Sequence, residues 1–160
     1  MQIETWDIAR LLPYAGNPRK NDRAVPKMAE AIKAYGFRVP VLARSTGDVI
    51  DGHLRIKAAS HAGLTELPVI VCDDMTDQQV KAFRLSVNKM AELAQWDFDL
   101  LTIEFAELKE LDFDLTLTGF DLPEVEKLLD FDLDGDGEGS GSDKKEKPLI
   151  TCPKCGFKHE

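Results

Sequence analysis

Val49-Ile50-Asp51-Gly52-His53-Leu54-Arg55-Ile56-Lys57-Ala58-Ala59 is the stretch whose reading decides the fold. An apolar strand, Gly47 to Asp51, meets a glycine and leaves it as a helix that continues through Ile56, Ala58 and Ala59 until Gly63 stops it. A glycine at such a join lets the backbone bend sharply. The free amides of the helix's first turn then point at whatever binds, and the helix dipole favours negative charge there. Arg55 adds a planar fork suited to phosphate oxygens. The same residues also fit an ordinary strand-turn-helix in which Gly52 serves only the turn.

Working outward, the pattern is α+β followed by helices and a tail. Pro26 suits a first helical turn, and Met28, Ile32 and Tyr35 recur at helical spacing until Gly36. Val39 to Ala43 and Asp48 to Ile50 read as a strand pair around Ser45-Thr46-Gly47, and Leu67 to Cys72 as a third, buried strand. Thr76-Asp77-Gln78-Gln79 is a capping box opening a helix with Val80, Phe83 and Val87 on one face and Asn88 near its end. Leu101, Phe105 and Leu108 form a further stripe, and Asp121-Leu122-Pro123-Glu124 opens a last helix carrying Val125, Leu128 and Leu129.

Four ordered segments carry a family resemblance. They are Leu11 to Lys20 with its Asn17-Pro18 pair, Ala31 to Val41, Ile50 to Ala59, and Leu85-Ser86-Val87-Asn88-Lys89. Together they resemble the ParB N-terminal and sulfiredoxin-like superfamily from about Ile8 to Leu129. The variant resembled most is the phage and mobile-element one that occurs beside DNA methyltransferases, on the strength of Trp96 to Leu101 and Leu117 to Asp121. The resemblance implies a ParB/sulfiredoxin-like α+β domain with a small mixed sheet over residues 1–95 and a helical extension over 96–130. It also implies a nucleotide or phosphate site at Asn17, Arg19, Gly52, His53, Leu54, Arg55 and Asn88. The expected ligand is a nucleoside triphosphate, CTP or ATP, with or without magnesium.

Two departures bear on chemistry. The family's ParB members and its free-serine kinases carry glutamate after the box glycine, where this chain has His53; sulfiredoxin needs cysteine there. His53 is therefore the candidate catalytic residue of any nuclease, NTPase or phosphotransferase reading. At a helix N-terminus its pKa is expected to fall, leaving a neutral imidazole. His61, on the following helix, reads as a surface or packing residue.

Charge divides the chain. The net charge is −9, yet residues 1–96 hold 13 Lys/Arg against 11 Asp/Glu, and residues 97–160 hold 7 against 18. Nine basic and four acidic residues fall within 17–57, an excess able to accommodate the phosphates of a nucleotide or of DNA. DNA binding by the isolated chain is expected to be weak, because the C-terminal part repels phosphate. A DNA methyltransferase or other DNA-processing protein is the alternative partner, and a homodimer is open. No apolar run reaches the roughly 18 residues of a membrane span. Met1-Gln2-Ile3-Glu4 lacks a signal-peptide pattern, so the expected location is the cytoplasm of a bacterial host.

Residues 131–147 read as an acidic Gly/Ser-rich linker. The spacing of Asp130, Asp132 and Asp134 copies half a calcium loop, but Gly141 stands where a bidentate glutamate is required. Residues 148–160 form a zinc-ribbon-like tail in which Cys152, Cys155 and His159 are the candidate zinc ligands. Cys72 reads instead as a small apolar residue at a strand end. Three function classes follow: a nucleotide-binding module associated with DNA or a DNA-modifying partner, an enzyme of the nuclease or phosphotransferase type, and an accessory subunit that binds only protein.

Overall fold

The computed structural model describes residues 2–133, 150–151 and 158–159. Its elements are β1 (Ile3–Asp7), α1 (Val25–Tyr35), β2 (Val41–Ala43), β3 (Val49–Asp51), α2 (His53–His61), β4 (Glu66–Val71), α3 (Asp77–Leu93), α4 (Phe98–Glu110) and α5 (Leu122–Leu133). Two short strands, β5 (Ile150–Thr151) and β6 (Lys158–His159), pair antiparallel with each other.

Strand residues alternate sides, and this alternation sorts the core into two layers. Val41, Ala43, Val49, Leu67 and Val69 face one way and pack with Ala29 and Ile32 of α1 and Ile56, Ala58 and Ala59 of α2. Ile50 faces the other way and packs with Cys72 and with Val80 of α3, flanked by Leu42, Ile70 and Phe83. The sheet thus lies between α1 and α2 on one face and α3 on the other. Each fully buried valine, leucine or isoleucine contributes about 1.5–3 kcal/mol. The strand order is β1-β4-β2-β3. β2 runs parallel to β4, and the β2–β3 and β1–β4 pairs are antiparallel, so the sheet is mixed as expected.

Local chemistry explains the boundaries. β2 begins at Val41 rather than Val39 because Pro40 has no amide to donate. Gly36 ends α1 at φ +78, with its N–H on the Ile32 carbonyl at 2.8 Å. The capping box at α3 forms in full: Thr76 accepts from the Gln79 amide, and the Gln79 side chain accepts from the Thr76 amide. The sequence reading missed β1, an edge strand in which only Trp6 is buried.

The apolar stripe of α3 leaves the core halfway along. Val80 is buried and Phe83 half-buried, whereas Leu85, Met90 and Leu93 are exposed. The helix runs on to Leu93, so Asn88 lies within it rather than close to its end. Beyond it, Phe105 and Val125 are buried, and Phe120 meets both Phe105 and Trp96 edge-on at 5.2 and 5.3 Å. Lys27 of α1 reaches Asp121 and the Gly119 carbonyl, tying this helical part to the sheet domain.

α5 carries the chain to Leu133, beyond the point at which the sequence becomes linker-like. The rest of the acidic linker and the candidate zinc ligands Cys152 and Cys155 lie outside the described residues; His159 falls in β6. Among the described residues, no group of three or more His, Cys, Asp or Glu side chains could hold a metal ion. Likewise, no described helix is long and apolar enough to cross a membrane.

Candidate functional site

The site is built where β3 passes into α2. Gly52 sits between them at φ +106, ψ 15, a left-handed conformation that favours glycine, and it offers no side-chain cap. The first helical hydrogen bond is donated by Ile56 N–H to the Gly52 carbonyl at 2.9 Å. The amides of His53, Leu54 and Arg55 are therefore left for an outside acceptor, as at an anion-binding helix terminus.

Two other segments close around this turn. The chain after β1 lies along β3, with Leu12 N–H on the Gly47 carbonyl and Val49 N–H on the Leu12 carbonyl, at 2.9 and 3.0 Å. This brings Tyr14 against α2, where its N–H donates to His53 Nε2 at 3.2 Å. Farther along the loop, Asn17 accepts from the Arg19 amide at 3.1 Å. From α3, Asn88 Oδ1 accepts from Arg19 Nη1 at 2.9 Å, joining positions 69 apart in sequence.

The seven residues expected at the site, Asn17, Arg19, Gly52, His53, Leu54, Arg55 and Asn88, all line one cleft of about 180 Å³. Asn21, Met28 and Asp51 line it as well. A neighbouring cavity of about 310 Å³ shares Asn17, Arg19, Asn21 and His53 and adds Tyr14, Lys20 and Lys57. The smaller space suits phosphate groups, and the larger is within the range of small-molecule pockets.

Two side chains are disposed otherwise than the sequence suggested. Arg55 turns back across Gly52: its Nη2 lies 2.8 Å from Asp51 Oδ2 and 3.3 Å from the Pro40 carbonyl, while its buried Nε has no partner. His53 is neutral in tendency, as expected, but chiefly because burial disfavours its charged form; the Arg84 guanidinium adds to this, against the pull of Asp51. Its Nε2 lone pair is occupied by the Tyr14 amide, which leaves that nitrogen no role as a free general base in this geometry. Asp51 and Tyr14 were legible as neighbours of the motifs, though nothing in their spacing announced these contacts.

The first 89 residues match a known domain, the ParB N-terminal domain. The chain belongs to the ParB N-terminal domain family. Residues 99–153 match a second family, the ParB-methyltransferase HTH domain, which takes in α5 and most of α4. The ParB-like nuclease domain-containing protein YnaK of Escherichia coli K12 is 38% identical over 80 residues, 49% of this chain and 92% of that protein. The probable chromosome 1-partitioning protein ParB of Deinococcus radiodurans is 35% identical over 77 residues, which span 45% of this chain and 27% of that protein. Among solved structures, the C-terminally truncated chromosome-partitioning protein ParB from Caulobacter crescentus, complexed with CTP-gamma-S, superposes with a TM-score of 0.66 at 18% identity. That likeness covers 80% of this chain and 77% of the other and establishes a shared ParB fold.

Proposed function

We propose that this chain is a nucleotide-binding ParB-like module that holds a nucleoside triphosphate, CTP or ATP, in the cleft between α2, the Asn17–Asn21 loop and α3. The observation that carries this reading is the convergence of three unpartnered first-turn amides with Arg19, Asn17 and Asn88 on one small cleft. The amides and guanidinium offer donors for phosphate oxygens, and the adjoining cavity beside Tyr14 offers room for the nucleoside. The CTP-gamma-S bound to the Caulobacter relative supports a nucleotide of this class.

In this reading, residues 1–95 form the nucleotide-binding unit. Residues 96–130, which overlap the ParB-methyltransferase HTH match over 99–153, form the part that meets DNA or a DNA-modifying partner. Occupancy of the cleft would alter how the two meet, since α3 both lines the cleft and leads into the helical part. Titration calorimetry with each common nucleoside triphosphate, with and without magnesium and duplex DNA, tests the proposal. Saturable binding of at least one is the expected result; no binding under any of these conditions overturns it in favour of a protein-only accessory subunit.

A further inference from the structure

Arg84 does not line the nucleotide cleft, yet each wall of that cleft is fastened to it. Its Nη2 donates to the Val49 carbonyl on β3, the strand that delivers Gly52. Its guanidinium carbon lies 4.2 Å from the centre of the Tyr14 ring, on the segment whose amide holds His53. Its own backbone carbonyl accepts from Asn88 Nδ2 at 2.7 Å, and Asn88 in turn receives Arg19. The side chain borders a separate cavity of about 220 Å³ with Tyr14, Arg44, Asp48, Asp77 and Lys81.

This arrangement is costly as packing alone. Arg84 Nε is buried without a hydrogen-bond partner, a desolvation cost that an apolar side chain of the same length would avoid. What the guanidinium does that such a side chain could not is hold an aromatic face and a strand carbonyl at once.

We propose that Arg84 is the positioning residue of the nucleotide cleft, its guanidinium setting the Tyr14 segment and β3 in register so that the donors converge; the bond from Asn88 goes to its backbone carbonyl, which any residue at that position supplies. The inference rests on the nucleotide-binding reading above, but its reporters do not. The groups whose charges bear on His53 are Arg84 and Lys57, which hold its pKa down, and Asp51, which raises it. Loss of the Arg84 charge should therefore move the His53 titration upward.

The test uses the full chain, with the His53 imidazole, the Tyr14 amide and the Ile50 amide, whose peptide carries the Val49 carbonyl, followed by NMR and CTP and ATP binding followed by calorimetry. Arg84→Met should remain folded, shift all three NMR signals, raise the His53 titration and weaken nucleotide about tenfold, within the range of a desolvated cation–π contact. Arg84→Lys should bring the His53 titration back down without restoring the Tyr14 amide position, because an ammonium cannot both stack on the ring and reach the strand carbonyl. Should Arg84→Met fail to fold, Tyr14→Leu decides: it should displace the Ile50 amide signal, through Arg84. A folded Arg84→Met protein with wild-type signals and affinity overturns the proposal, as does an unmoved Ile50 signal in Tyr14→Leu. If wild type binds no nucleotide, the functional reading falls while the NMR arms still decide the role of Arg84.

Discussion

Asp51 holds the guanidinium of Arg55 at 2.8 Å, across the glycine that opens α2. Both side chains are largely buried, at 24% and 29% exposure for Arg55 and Asp51, so solvent and salt screen their attraction only partly. A phosphate bound as proposed would share Arg55 with Asp51. Arg55→Ala should weaken nucleoside triphosphate binding by roughly 1.5–3 kcal/mol, the size of a charge-assisted hydrogen bond. Asp51→Asn should tighten the same binding several-fold while lowering the melting temperature, because it removes a negative charge from the cleft and leaves Arg55 unpaired. Calorimetry and thermal melting on both variants check the pair; equal affinity in all three proteins would show that Arg55 meets no phosphate.

Gly52 is constrained twice. Its φ of +106 is unfavourable for any side chain, and a Cβ there would lie 3.2 Å from both Arg55 Nη2 and Val41 Cγ2. Gly52→Val should cost about 1–3 kcal/mol from backbone strain and also crowd the turn's amides. Denaturant titration should give a lower midpoint at unchanged slope, with nucleotide binding lost even where the variant is fully folded.

His53 makes stability depend on pH with a defined sign. Its pKa lies below the ordinary 6.5 in the folded protein, so the unfolded chain binds the proton more tightly. The stabilisation is complete above about 6.5 and is lost as pH falls from there through the lower folded value. His53→Gln should flatten this part of the profile, because an amide oxygen can accept from Tyr14 N–H without titrating. Chemical denaturation across pH 4.5–8 measures it; a wild-type profile unchanged by the substitution would assign the slope to other groups.

Charge separation along the sequence leads to a neutralisation experiment. Asp134, Asp136 and Glu138 carry three negative charges in a stretch without lysine or arginine, so Asp134→Asn with Asp136→Asn and Glu138→Gln should strengthen binding to duplex DNA at low salt, with a steeper salt dependence. Fluorescence anisotropy at two salt concentrations reads the change. DNA affinity no greater in the neutralised protein would show that the acidic segment does not oppose phosphate.

The paired thiols call for a metal assay. Purified protein under reducing conditions should contain zinc, and Cys152→Ser together with Cys155→Ser should release it. Negligible zinc in the unmodified protein would rule out the ribbon reading.

The elements that sequence disclosed best are those with strong local chemistry. Gly52 between an apolar strand and a helix, the Thr76–Gln79 box and the Pro26 start each fix a boundary by themselves, and the ordered motifs name Asn17, Arg19 and Asn88, which line one cleft together. β1 escaped because one buried residue in five leaves no alternation to read. The Asp51–Arg55 pairing and the Arg84–Tyr14 stack escaped for another reason. A motif states which residue types gather, whereas the direction a guanidinium takes depends on which carboxylate or ring the tertiary fold brings nearest.

The partial burial of α3 has a consequence for the timing of events in this molecule. Its first two turns are locked through Val80, while the stretch bearing Leu85, Met90 and Leu93 is solvated on its apolar side. Amide hydrogen exchange should therefore grade along a single helix, slow near Val80 and faster beyond Leu85. Asn88 belongs to the faster stretch, so the wall it contributes should exchange faster than the walls built on β3 and α2. A ligand that bridges them would be registered first as slowed exchange in the far half of α3.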